Sequence, residues 1–169
     1  MALFSIIGCD STPPKKMTMA EYAVLDLKGR EAVEACCAYA LKNAASIELV
    51  NLNGSENYGP PKRDPGKEYF NWWVVTNRRK LTADECKLMV ERLGAEIGGN
   101  HRKVWANCFE PEHALRVQTV DGGRFDIIIC FHCRQLWCFD ISGERIGTQT
   151  GISQDLLPFF DSLIQTSAK

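Results

Sequence analysis

The 169-residue chain has no excess of charge of either sign: 20 Lys and Arg against 21 Asp and Glu leave a formal net charge of −1. Such a balance supplies no global pull toward phosphate backbones, so a dedicated nucleic-acid binder is not expected. Long hydrophobic runs are missing too. No apolar stretch approaches the roughly 18 residues that span a bilayer, which leaves a lipid anchor as the route to a membrane. Recognisable catalytic patterns are also lacking: there is no nucleophile elbow, phosphate-cradling glycine loop, His-Glu-x-x-His helix or paired-carboxylate motif. That absence leans against an enzyme.

What is present is an ordinary globular composition, 45% hydrophobic and 24% charged, over a length that suits one domain with its own core. Cysteine stands out with eight residues: Cys9, Cys36, Cys37, Cys86, Cys108, Cys130, Cys133 and Cys138. In a reducing compartment many of these behave as small buried apolar groups, and in an exported protein some pair. The segment Ile6-Ile7-Gly8-Cys9 resembles a bacterial lipobox, whose cysteine is lipidated and becomes the mature N-terminus. No basic stretch precedes it, and the apolar run is short for a signal. The polar, proline-containing residues after it suit a tether. The expected organisation is therefore an apolar N-terminus and tether over residues 1–20, and a single domain over residues 21–169.

Within the domain, residues 22–27 alternate weakly and suggest a short strand. The Ala-rich stretch 31–47 predicts a helix, with Cys36 and Cys37 as core atoms pointing in different directions. Residues 51–68 read as a long Gly- and Pro-rich loop in which Tyr58 offers an aromatic contact. Residues 69–76 read as a strand. Thr82 and Glu85 form a capping box that opens a helix, with Cys86, Met89, Val90, Leu93 and Ile97 on its apolar face and Gly98-Gly99 as its stop. Strands follow over 104–109, 114–120, 124–131, 135–141 and 144–150, with Asp121-Gly122-Gly123 as a hairpin turn. Ser153 or Asp155 then caps a final helix. The fold class is α+β, a mostly antiparallel sheet with about three helices packed against it.

Cys108, His113, Cys130, His132 and Cys133 are the residues that invite chemistry. Thiolates and imidazoles are preferred zinc ligands, so Cys108, His113, Cys130 and Cys133 form one candidate metal set. Yet Cys130 ends an Ile127-Ile128-Ile129 run, and extended backbone there would send positions 130 and 133 to opposite faces of the sheet. Thiol redox chemistry is a second possibility, although a catalytic Cys-x-x-Cys normally opens a helix. A third is a disulfide joining Cys108 to Cys130 or Cys133 in an exported protein. The fourth is a set of reduced core cysteines. His113 with Glu110, Glu112 and Arg116 makes either an acid–base group or a polar strand edge. Arg78 and Arg79, in a short basic run before the capped helix, join Tyr58 as partner-binding candidates.

The segment Cys108-Phe-Glu-Pro-Glu-His113-Ala-Leu-Arg116, followed by Asp126-Ile-Ile-Ile-Cys130-Phe-His-Cys133, resembles an uncharacterised bacterial family. Its members carry Cys-Phe-x-Pro-Arg-His-Gly-Ile-Arg and then Ile-Cys-Phe-Glu-Cys, and the similarity covers roughly residues 69–164. Glu112, Ala114 and His132 depart from the usual Arg, Gly and Glu. The resemblance implies no activity; some members look like envelope lipoproteins, which agrees with Cys9. The expected function is thus a non-enzymatic, periplasm-facing protein that binds another protein, with neutralisation of a bacterial toxin as the concrete version. The alternative is a cytoplasmic zinc-binding or thiol-based enzyme.

Overall fold

The computed structural model describes residues 19–56, 63–97 and 109–165, the side chains of 19–28 and 149–150 excepted. In chain order, helix α1 (Met19–Lys42) leads into strand β1 (Ala44–Asn53) and a short 3-10 turn (Gly54–Glu56). A tight hairpin follows, β2 (Tyr69–Phe70) with β3 (Trp73–Lys80), and then helix α2 (Ala83–Glu96). Strands β4 (His113–Thr119), β5 (Arg124–Cys130), β6 (Gln135–Phe139) and β7 (Arg145–Thr150) precede the closing helix α3 (Leu157–Gln165). The seven described strands join one antiparallel sheet in the order β2-β3-β1-β4-β5-β6-β7. Helices pack against it, and the fold is α+β, as the hydrophobic patterning predicts.

Local chemistry explains the elements. Thr82 and Glu85 form the expected capping box, and Glu85 is clamped further by both terminal nitrogens of Arg79, at 3.0 and 2.5 Å. This pair holds the Glu85 carboxyl down at about 2, with the Arg79 bond as the leading cause. Gly122 in the β4–β5 turn adopts φ +87°, a conformation only glycine takes without strain. From Asp126 to Cys130 every residue of β5 is buried. A central strand covered on both faces reads as a continuous apolar run, which is why its isoleucines come in a triplet.

Four local expectations are corrected. Residues 22–27 are helical, part of α1. That helix ends at Lys42, because Ile47, Leu49 and Val50 enter the core from β1. The supposed loop from residue 51 starts later, since β1 continues to Asn53. Residues 69–76 are two strands and not one, broken at a turn where Asn71 takes φ +51°. Asparagine is one of the few side chains that tolerate that region. The expected Gly98-Gly99 stop lies outside the described residues, as does the expected strand over residues 104–109 except Phe109, which is not in a strand.

One face of the sheet carries the larger core. Ile47 and Leu49 of β1, Leu115 and Val117 of β4, Ile127 and Ile129 of β5, and Leu136 and Cys138 of β6 meet residues of α1, α2 and α3 there. The opposite face carries a second cluster with Val50, Leu52, Phe70, Trp73, Ala114, Ile128, Cys130 and Phe139. In a flat sheet β3 and β6 would stand about 19 Å apart, four strand spacings. Instead the Trp73 and Trp137 rings lie 5.8 Å apart. The sheet curls, and its hairpin edge closes over β6 across the second face.

Candidate functional site

The curl creates an aromatic cluster. Phe109 stacks on Trp137 at 3.9 Å between centroids, and Trp73 meets Phe109 edge-on at 5.6 Å. Trp72, at the hairpin turn, leans on Trp137 and Phe139 at 6.4 and 6.2 Å. Most of these rings are covered, but Trp72 keeps 46% of its surface open. The Arg145 guanidinium sits 4.6 Å over the Trp137 ring. Arg63 packs over Tyr69 at 5.6 Å and donates to the Asn71 carbonyl at 3.2 Å. Arg145 therefore adds a cation to the aromatic rim, whereas Tyr69 alternates with Phe70 and carries Arg63 on the other side of the hairpin. The indole N–H groups of Trp73 and Trp137 find no acceptor among the described residues.

Beside this cluster the same face carries a charged ladder. Arg116 of β4 grips Asp126 of β5 through two bonds of 2.9 Å, and its guanidinium lies 4.6 Å over the Phe70 ring. On the neighbouring strands Arg78 pairs with Glu48 at 3.5 Å and with Glu68. Arg78 and Arg79 point to opposite faces of β3, one into this ladder and the other to Glu85, so they make no common basic patch. Tyr58 lies outside the described residues, as does Cys9.

The Cys130–Cys133 pair departs from the extended geometry predicted for it. Residues 131–134 form a turn in which Arg134 takes φ +55°. Both sulfurs consequently belong to the same cluster, buried among the aromatic rings. The Cys133 N–H donates to Cys130 Sγ at 3.2 Å. The Cys130 thiol is brought down to about 7, chiefly by a hydrogen bond from the Cys133 thiol, then by backbone N–H groups of Cys133 and Glu110, with burial acting against them. Other contacts clamp the turn from outside. The Phe131 N–H donates to a Glu112 carboxylate oxygen at 3.1 Å, and the Gln154 amide donates to the Phe131 carbonyl at 3.2 Å. The Gly151 N–H donates to the Arg134 carbonyl at 2.7 Å. A buried turn survives only when its polar backbone groups are satisfied in this way.

His113 does not join the sulfurs. It pairs with Ile129 across β4 and β5, so its ring emerges on the helix-covered face. There it meets Phe131 at 5.7 Å and Phe160 at 5.4 Å, edge to face. Cys108 lies outside the described residues. Of the four residues expected to share a metal, the structure brings together two, Cys130 and Cys133, and separates His113 from them. A tetrahedral zinc site needs four ligands, and among the described residues no group of three or more candidate ligands has suitable geometry.

Burial pushes the His113 imidazole below its ordinary value, while Asp161 at 3.2 Å opposes the shift without reversing it. The folded protein therefore resists protonation of His113 more than the unfolded chain does. Below pH 6.5 the unfolded chain takes up a proton there that the folded chain refuses, so stability present above that pH is lost as the pH falls. The slope has an upper limit of about 1.4 kcal/mol per pH unit, that of a single proton. Urea titrations at pH 7.5 and 5.5 should show a smaller difference for His113→Phe than for the wild type; equal differences would remove His113 from the pH dependence.

Sequence pattern missed a close sulfur contact outside that turn. Cys36 of α1 and Cys138 of β6 stand with their Sγ atoms 3.2 Å apart. Cys37 lies in the same core beside the Cys138 thiol, so the adjacent cysteines converge on one sulfur instead of diverging. Cys86 packs against the same core, as its helical position predicts. No family model matches the chain, and neither a curated protein nor a solved structure does.

Proposed function

We propose that the chain is a non-catalytic protein-binding domain of the cell envelope, tethered through a lipid on Cys9, with a bacterial toxin as its concrete candidate partner. The observation that carries the binding part is the half-open Trp72 on the aromatic face closed by the curl. Tryptophan held by neighbouring rings yet nearly half exposed is the residue type that dominates binding energy at protein interfaces, with arginine beside it. Arg145 at the rim favours a partner segment that is apolar with an acidic flank. Catalysis has little support on this face. The thiol lowered there, Cys130, is fully buried, and the ladder's described carboxylates are held by arginines.

A photo-crosslinking amino acid at position 72, introduced in the native cell, tests the proposal. A discrete cross-linked species from position 72, absent when the probe replaces exposed Val120 in the β4–β5 turn, supports it. No species from position 72, or the same ladder from both positions, contradicts it.

A second reading, a zinc or thiol centre in a cytoplasmic enzyme, is favoured by the turn that gathers Cys130 and Cys133. Metal analysis separates the two. About one zinc per chain, lost in Cys133→Ser, supports the centre, and a metal-free wild type that folds normally after the same substitution supports the binding domain.

A further inference from the structure

We infer that Cys36 and Cys138 form a redox modification site, a thiol pair that a disulfide-containing oxidant converts into a covalent bond between α1 and β6. Both residues are free thiols. Their Sγ atoms are 3.2 Å apart, so an approach of about 1 Å reaches the ~2.05 Å of a sulfur–sulfur bond.

The backbone brings them there for a visible reason. Cys138 pairs across the sheet with Gly147 of β7. A Cβ at position 147 would stand 2.6 Å from the Gly29 carbonyl oxygen and 2.8 Å from a Val33 methyl. Helix α1 thus lies directly on the β7 backbone. Residues 33, 36 and 37 share one side of α1, at spacings of three and four. The helix cannot move away from β6 without giving up this contact. Cys36 is half-buried and opens to solvent, whereas Cys37 and Cys138 are fully buried. An oxidant therefore enters at Cys36.

The exchange balances in two steps. The Cys36 thiolate attacks one sulfur of the oxidant, whose other sulfur leaves as a thiolate. Cys138, deprotonated, then attacks Cys36 Sγ in the mixed disulfide and displaces the second thiolate. Two protein thiols become one disulfide, the oxidant's disulfide becomes two thiols, and the two protein protons pass to the released thiolates. The hydrogen bond with Cys138, aided by burial, pushes the Cys36 thiol up. The reaction is accordingly slow near neutrality and accelerates as the pH rises.

Treatment of the full chain with oxidised glutathione at mildly alkaline pH, alkylation and peptide mapping tests the site. Expected is a linked Cys36–Cys138 peptide from a chain lighter by two hydrogens. The bond closes a loop of 102 residues, so the thermal midpoint should rise by roughly 10 °C. Cys36→Ser, at a half-buried position, should fold normally and lose that rise. Full alkylation of both cysteines after treatment, a Cys37–Cys138 link in place of the Cys36–Cys138 one, or an equal rise in Cys36→Ser would overturn the assignment.

Discussion

Replacing Arg116 with leucine is expected to lower the free energy of unfolding by about 3 kcal/mol, read from urea titration. Asp126 is almost fully buried on the curled face, and both its carboxylate oxygens are satisfied by Arg116. Leucine leaves that buried carboxylate without its guanidinium partner, and it also strips the packing of the guanidinium on Phe70. Lysine at the same position keeps the charge but loses the two-pronged geometry, and should fall between the two. If the loss comes from stranding a charge, Asp126→Asn in the leucine background should recover part of it. A leucine variant within about 0.5 kcal/mol of wild type would mean that the pair is effectively solvated.

Phe160→Ala should cost still more, about 4 kcal/mol. The ring is completely buried and touches three others edge to face: Phe131 at 5.1 Å, His113 at 5.4 Å and Phe159 at 5.9 Å. Phe131 occupies the turn between Cys130 and Cys133, so the cavity would loosen the support of that turn. Amide hydrogen exchange at Cys133, whose N–H is bonded to Cys130 Sγ, should therefore quicken more than the global stability loss requires. Exchange that tracks global unfolding alone would show that the turn is held by its hydrogen bonds to Glu112 and Gln154, without help from the rings.

The parts of the fold legible in the sequence are those fixed by local chemistry. Thr82 and Glu85 announce a helix start because the capping box is completed within four residues. Asp121-Gly122-Gly123 announces a hairpin because glycine is the usual occupant of positive φ. Where positive φ falls on Asn71 and Arg134, the same signal is weak or missing. That is why a tight Trp72 hairpin read as one strand, and why the isoleucine triplet seemed to carry extended backbone through Cys133. His113 could be assigned to the sulfurs only while the register of β4 against β5 was unknown; one residue of register decides which face it takes. The meeting of Trp72 with Trp137, and of Cys36 with Cys138, depends on curl and on helix placement. Both join residues far apart in the chain, beyond the reach of any periodicity.

The sharpest measurement is the affinity of the wild-type and Trp72→Ala chains for the protein cross-linked from position 72, determined by calorimetry on folded samples of both. With Trp72 as the anchor of the binding face, the substitution should weaken the complex by roughly 30-fold or more, equivalent to about 2 kcal/mol. An unchanged dissociation constant would place the partner elsewhere on the domain.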